Sequence, residues 1–194
     1  MSDTQTTGDL TYTYRPSLLG APWQFRLTGD ALFWDIGRRS GRAAFHDIRR
    51  VRMSYRPVTM QNYRFVTEAW LGDGTRLTVA STSWKSMVEQ ERLSKPYVDF
   101  IRELHRRIAA SGASVSFETG MHPLRYWPGF VVFAGMALGL AVLTVRALQL
   151  AAWGGAAFIG AFLALFLWHG GNYLRRNRPK TYRPDALPDD LLPR

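Results

Sequence analysis

Two long uncharged runs in the second half of the chain restrict its architecture more than any other feature. Residues 126–145 form a run of 20 and residues 147–174 a run of 28, separated only by Arg146. An α-helix rises ~1.5 Å per residue and a bilayer core is ~30 Å thick, so each run is long enough to cross a membrane. A domain built from the remaining residues is too small to surround two helices that are apolar on every side. We therefore predict a two-helix transmembrane hairpin over residues 126–174, with spans near 128–146 and 150–170.

Basic residues gather outside the two predicted spans. The formal net charge is +10, and 25 residues are lysine or arginine. The segment between the spans carries only Arg146, whereas Arg106, Arg107 and Arg125 precede the first span. The residues that follow the second span include Arg175, Arg176, Arg178, Lys180 and Arg183. Because basic residues tend to stay on the cytoplasmic side of membrane helices, both termini are predicted to be cytoplasmic, with residues 175–194 as a basic cytoplasmic tail.

Residues 10–120 are predicted to form a β-rich cytoplasmic domain. Apolar and polar residues alternate in several segments, which is typical of strands with one face toward a core. Such segments begin near Leu10, Trp23, Leu32 and Val51. The Asp-Gly pair at residues 73–74, between two further strand patterns, predicts a β-hairpin. Residues 1–9 are polar, lack the basic and apolar regions of a signal peptide, and are predicted to be a disordered N-terminus.

After residue 82 the spacing of apolar residues changes to that of helices. One predicted helical face carries Tyr97, Ile101, Leu104 and Ile108. Pro96 near the start and Gly112 after the end are typical of helix boundaries, so an amphipathic helix of about four turns is predicted. A shorter helix is predicted over residues 84–93, just before it.

The stretches 33–36 and 44–51, joined by a basic turn, carry a pattern of strand, turn, apolar pair, Asp-Ile and a valine on the next strand. With the 72–77 hairpin, they make residues 10–111 similar to the bacterial PH-like (pleckstrin-homology-like) domains. The resemblance implies an α+β fold, in which a curved antiparallel β-barrel or sandwich is capped by a C-terminal amphipathic helix. It also implies a multi-pass protein of the bacterial cytoplasmic (inner) membrane, and it implies no catalytic residue. This chain differs from the common arrangement of the family because its spans follow the domain.

Small residues recur at four-residue spacing in both predicted spans. They are Gly135 and Gly139 in the first span, and Ala156, Gly160 and Ala164 in the second. Such spacing lets helix backbones approach closely in lipid. Packing of the hairpin on itself is favoured over homodimerisation, because a short loop already holds the two helices together. The oligomeric state stays open.

The residues that carry chemistry in enzymes form no recognisable constellation in this sequence. There is no cysteine, and the four histidines have no metal-ligand spacing. His105 is interpreted as a packing residue of the amphipathic helix. His122 and His169 both fall near the predicted cytoplasmic interface, where a haem- or metal-binding pair is a less favoured alternative to interfacial residues without a ligand. We therefore predict no catalytic residue, no metal and no cofactor.

Arginines form the most informative candidate site. Alternation places Arg50, Arg52 and Arg56 on one strand face, and the preceding turn carries Arg38, Arg39 and Arg42. The interpretations left open are a solvated face, a surface that attracts anionic lipid headgroups, and a docking site for an acidic protein partner. Nucleic acid is not predicted, because no recognition helix or matched aromatic platform accompanies the arginines.

These features predict a non-enzymatic, membrane-anchored adaptor or scaffold. Its PH-like domain would dock a protein partner or the anionic inner leaflet. The alternative is an accessory subunit of a larger membrane complex, bound through the hairpin. An enzyme would require a pocket lined by convergent polar groups.

Overall fold

The computed structural model describes residues 8–57, 63–86 and 89–193, and it divides the chain into two compact units. The first unit comprises the chain up to Thr119 together with the segment that begins at Lys180. The second unit is Gly120–Pro179 and contains both apolar helices. The second unit is therefore inserted within the sequence of the first.

Within the described residues, the first unit contains eleven strands and one long helix, α1 (Ser94–Ala110). The strands are β1 (Leu10–Tyr14), β2 (Trp23–Leu27), β3 (Ala31–Asp35), β4 (Ser40–Ala44), β5 (Ile48–Pro57), β6 (Tyr63–Leu71), β7 (Arg76–Ala80), β8 (Thr82–Trp84), β9 (Gln90–Arg92), β10 (Ser116–Thr119) and β11 (Lys180–Thr181). This content confirms the α+β class.

The strands form three separate sheets. The first has the order β1-β2-β3-β4, the second β11-β10-β5-β6-β7, and β8 pairs with β9. All pairs are antiparallel except β10 with β5. The sheets do not close into a barrel, and the parallel pair departs from the antiparallel arrangement that the resemblance implies. The parallel pair forms because α1 carries the chain back across the unit before β10 begins.

The core follows from the alternation within the strands. Tyr12, Tyr14, Phe25 and Leu27 are buried, whereas the polar residues between them are exposed. Tyr14 and Phe25 stack with their ring centroids 6.3 Å apart. This pattern confirms that the alternating segments are strands with one face toward a core.

Helix α1 closes this core with the face predicted from its spacing. Tyr97, Ile101, Leu104 and Ile108 are all buried. The Tyr97 hydroxyl reaches across to Thr67 of β6, with 2.7 Å between the two oxygens. The helix ends before Gly112, which has a left-handed φ of 68° that glycine adopts without strain.

The helix predicted over residues 84–93 is wrong. The described part of this segment contains the last residue of β8 and all of β9, and the two strands pair from Thr82 with Arg92 to Trp84 with Gln90. Arg15, just after β1, donates its N–H to the Ser83 hydroxyl at 3.0 Å, and Trp84 donates its N–H to the Arg15 carbonyl at 3.1 Å. These long-range hydrogen bonds outweigh the local helical pattern of a short segment.

Residues 180–193 also belong to the first unit, although their charges predict a basic tail. β11 pairs with β10, and one turn of 3₁₀-helix covers Asp189–Leu191. Leu191 and Leu192 are buried with the core residues. Burial of these apolar side chains stabilises the segment in a way that a count of its charges does not reveal.

The second unit is a hairpin of two helices, α2 (Pro123–Gln149) and α3 (Trp153–Arg176). Both are long and apolar enough to cross a membrane. Each helix extends past the predicted span at its outer end, to Pro123 and to Arg176. The His122 side chain accepts the N–H of Leu124 at 3.3 Å and so caps the start of α2.

Candidate functional site

The outer face of β5 carries Arg50, Arg52 and Arg56, as period-two spacing predicts. In the register of the sheet, Trp70 and Glu68 of β6 lie opposite Arg50 and Arg52. On the other side of β5, Glu118 of β10 lies opposite Arg52. The arginines therefore stand between two strands that supply carboxylates and an indole ring.

Glu118 binds Arg52 in a largely buried ion pair. The Arg52 side chain is only 12% exposed, and its Nε lies 3.1 Å from Oε2 of Glu118, which also contacts the terminal guanidinium nitrogen. Charge-assisted hydrogen bonds of this kind are stronger than neutral ones. Arg52 is thus engaged within the sheet.

Glu68 is a buried carboxylate held by two guanidinium groups. The residue is 6% exposed. Its Oε1 lies 3.1 Å from Arg56 and 3.7 Å from Arg76. A buried carboxylate needs such partners because desolvation of an unpaired charge is costly. Arg56 therefore serves a carboxylate of the sheet.

Arg50 stacks on Trp70, with its guanidinium carbon 4.3 Å from the ring centroid. Arg52 approaches the same indole at 5.4 Å. The buried Nε of Arg50 has no hydrogen-bond partner within the described ranges. The indole face is thus its principal partner. We call Arg50, Arg52, Arg56, Arg76, Trp70, Glu68 and Glu118 the β5 arginine network.

The other three candidate arginines belong to the four-stranded sheet and its β3–β4 turn, whereas the network belongs to the five-stranded sheet. Arg42 is on β4, where it binds Asp30 and covers the Phe33 ring at 5.7 Å. Arg38 and Arg39 are in the turn between β3 and β4, and both are exposed. The six arginines of the sequence analysis therefore form two separate groups.

An exposed leucine pair stands next to that turn and was not singled out from the sequence. Leu19 is fully exposed and Leu18 is 36% exposed, both in the connection between β1 and β2. The same connection reaches the β3–β4 turn, since a Cβ built on Gly37 would lie 3.5 Å from the Cβ of Ala21. The sequence signal that could have identified this site is a pair of apolar residues within a Pro- and Gly-containing connection between two strands.

His105 is a buried polar residue that joins α1 to the segment after β11. Its Nδ1 donates to the Ile101 carbonyl at 2.7 Å, so Nε2 accepts the Tyr182 hydroxyl, also at 2.7 Å. Phe117 packs against both rings, at 5.2 and 5.6 Å. Burial lowers the pKa of His105 to about 4 and keeps the ring neutral. This is a packing role, as the sequence analysis interpreted it.

An open cleft of ≈ 560 Å³ near the end of α1 is lined by several polar residues. Asp30, His46, Arg106 and Arg107 are among its lining residues. Arg106 and Arg107 both bind Glu103, and Arg107 also donates to the carbonyls of Gly8 and Thr28. The arginine side chains are thus directed at other groups of the same protein, so they do not converge on the cleft.

The small residues of the hairpin take different positions. Gly160 of α3 faces α2, because a Cβ built on Gly160 would lie 3.7 Å from the methyl carbon of Thr144. Ala156 is buried. Ala164 is exposed, and Gly135 and Gly139 have nothing within 4 Å of an added Cβ. α2 and α3 instead meet through Phe133, which stacks on Phe166 at 4.7 Å and leaves no room for a Cβ on Gly170.

The histidines of the hairpin make only local contacts among those described. His122 caps α2, and Nδ1 of His169 lies 3.1 Å from the Leu165 carbonyl within α3. Across the described ranges, no group of three acidic, histidine or cysteine residues is placed to hold a metal.

Comparisons with known proteins give no family for this chain: no family model, no curated protein and no solved structure matches it. The contacts of its own residues define a coarser class. It is a protein with a β-rich N-terminal unit and two helices that are able to span a membrane.

Proposed function

We propose that this protein is a non-enzymatic, membrane-anchored adaptor whose β-rich unit docks a partner at the anionic inner leaflet of a bacterial cytoplasmic membrane. One observation carries the proposal. The two strands that flank the hairpin in sequence pair with each other, with Thr119 opposite Lys180. The chain therefore leaves and re-enters the first unit at adjacent residues, as expected of a unit held at one side of a membrane by two connections.

Charge supports the orientation of this anchor. The connection between α2 and α3 carries no basic residue after Arg146, whereas Arg175 and Arg176 end α3. By the positive-inside rule, the first unit and both termini face the cytoplasm. The buried polar residues Glu68 and His105 serve ion pairing and packing, which favours an adaptor over an enzyme.

Proximity labelling in living cells tests the proposal. A biotin ligase that requires cytoplasmic ATP is fused after residue 194, both in the native chain and in a variant whose residues 120–179 are replaced by an unrelated two-helix hairpin. We expect both proteins to label the same partners, because docking belongs to the first unit. An expressed native fusion that labels nothing would contradict the cytoplasmic orientation.

The second candidate function is an accessory subunit that binds a membrane complex through its hairpin. The open backbone at Gly135 and Gly139 on α2 favours it, because neither glycine is used within the hairpin. In the same experiment, labelled proteins that disappear when the hairpin is exchanged would support this function and reject the adaptor.

A further inference from the structure

We propose that the β1–β2 connection and the β3–β4 turn together form a lipid-contacting tip. Leu18 and Leu19 enter the boundary between headgroups and acyl chains, and Arg38 and Arg39 bind the phosphate groups of anionic lipids. The inference rests on the proposed function in one respect, namely that the first unit is held at a membrane.

The two segments of the tip are adjacent and well defined. Ala21 and Gly37 are in contact distance, as described above, so the connection that carries the leucines touches the turn that carries the arginines. The turn is closed by the N–H of Ile36, which donates to the Arg39 carbonyl at 2.8 Å. Gly37 adopts a φ of 85°, which an L side chain rarely adopts.

Both leucines expose apolar surface to solvent in the described structure. Leu19 is fully exposed and Leu18 is 36% exposed. At the base of the connection, Trp23 packs edge-on against Tyr14 with their ring centroids 5.9 Å apart, so the strand ends that carry the connection are held together. Isolated exposed leucines are common in soluble proteins. Two consecutive ones beside exposed arginines, in a chain with two candidate spans, match the chemistry of a membrane interface.

The arginines of the turn differ from those of the β5 arginine network in being available. Within the described ranges, no carboxylate lies at salt-bridge distance from Arg38 or Arg39, whereas Arg52 and Arg56 are held by Glu118 and Glu68. Arg39 also has a more distant electrostatic neighbour. The pKa of Asp73 is lowered, chiefly by hydrogen bonds from Thr75 and to a lesser extent by the charge of Arg39.

The charge of the tip and its tethering to a membrane favour an anionic bilayer as its binding partner. Two exposed guanidinium groups complement lipid phosphates, and each basic residue near such a surface strengthens binding by about fivefold. A unit held at the membrane by its own chain meets lipid at a high effective concentration, so weak contacts suffice. An acidic protein partner would use the arginines without requiring the leucines to leave water.

The test uses the full-length protein in lipid nanodiscs, and the absence of cysteine makes a single label possible. An environment-sensitive fluorophore is attached at Ser17→Cys, beside the leucines, or at the exposed control position Ser114→Cys. Nanodiscs contain either neutral lipid alone or a mixture with about one third anionic phosphatidylglycerol. We expect an apolar environment for the label at residue 17 in the anionic nanodiscs only, and water at residue 114 in both.

Two double variants test the two parts of the tip. L18S/L19S should return the residue 17 label to water, because each leucine contributes about tenfold to partitioning. R38S/R39S should lower the equilibrium constant for immersion by about 25-fold and weaken its salt dependence. R26S/R102S, which removes two exposed arginines elsewhere on the unit, should leave it unchanged.

Other results would overturn the inference. A residue 17 label that stays in water in anionic nanodiscs rejects the tip, and if R38S/R39S then removes binding of an acidic protein, the turn is a protein-docking site. Equal immersion in neutral and anionic lipid, unchanged by R38S/R39S, rejects the role of the arginines. Neither result depends on the proximity labelling, so the tip and the adaptor function fail separately.

Discussion

At the scale of single residues, arginines that look alike in the sequence have different roles. Period-two spacing was sufficient to place Arg50, Arg52 and Arg56 on one face. It was not sufficient to identify their partners, because Glu118 lies 66 residues further along and is brought opposite Arg52 only by the parallel register of β10. The same spacing rule gave no information on Arg38 and Arg39, whose exposure depends on the turn that holds them.

The β5 arginine network leads to a prediction about stability. R50S/R52S/R56S should lower the free energy of unfolding by about 2 kcal/mol, because it leaves Glu118 without its guanidinium partner and Glu68 with only Arg76. Thermal unfolding of the full-length protein in detergent measures the change. R38S/R39S is the matched control and should stay within about 0.5 kcal/mol of the wild type.

Equal melting of the triple variant and the wild type would mean that these ion pairs contribute nothing to the fold. Pairing with Glu118 and Glu68 would then no longer be a reason to prefer the β3–β4 turn over β5 as the lipid-contacting surface.

At the scale of elements, strands that depend on distant partners were the ones that sequence patterns missed. α1 and the Asp73-Gly74 hairpin were predicted correctly because caps, turns and spacing are local signals. The segment 84–93, which contains β9, is wrongly predicted as a helix, since its pairing with β8 and the hydrogen bonds between β8 and Arg15 are not visible in a short window. β11 has only two residues, too few for any periodic pattern.

The contact between α1 and the segment after β11 predicts a dependence on pH. The pKa of His105 is about 4 in the folded protein, below its ordinary value of 6.5, because burial disfavours the charged ring. The unfolded chain therefore binds more protons between these values, and stability falls as pH is lowered through this window. From pH 7 to pH 5 the loss should be about 2 kcal/mol.

Thermal unfolding of the wild type and of His105→Asn at pH 7 and pH 5 measures this effect. The variant should be less stable at pH 7 and should show a smaller difference between the two pH values. The lowered pKa of Glu103, about 2, is set chiefly by its hydrogen bond to Arg106 and has its effect below pH 5, outside the compared range. An identical pH difference in both proteins would show that His105 does not titrate on unfolding.

At the scale of the whole molecule, the main difference from the sequence prediction is that the first unit is discontinuous. Apolar runs located the hairpin, but they did not show that the segment after it returns to the β-rich unit. Leu191 and Leu192 stand among acidic residues and prolines, and only their burial in the core reveals their role.

A joined protein tests this discontinuity. Residues 1–119 are linked through Asn-Gly to residues 180–194, because Thr119 and Lys180 are paired and a two-residue turn suits an antiparallel pair. We expect a soluble, cooperatively folding protein. Residues 1–119 alone should be less stable by about 5 kcal/mol, since Leu191, Leu192 and Tyr182 no longer bury their side chains. Urea denaturation measures the difference.

The joined protein with L191S/L192S is the matched control, and its stability should lie between that of the joined protein and that of residues 1–119 alone, because Tyr182 is still buried. If residues 1–119 unfold at the same urea concentration as the joined protein, the segment after the hairpin is not part of the core.

The insertion of the hairpin between β10 and β11 also fixes the order of events during synthesis. The ribosome makes both apolar helices before it reaches Lys180. Until then the nascent β-rich unit lacks its edge strand β11 and the core residues Leu191 and Leu192. Final maturation of the unit thus comes after the hairpin has been synthesised. A protease that severed one of the two connections would leave the unit attached through the other, so release of the unit requires two cuts.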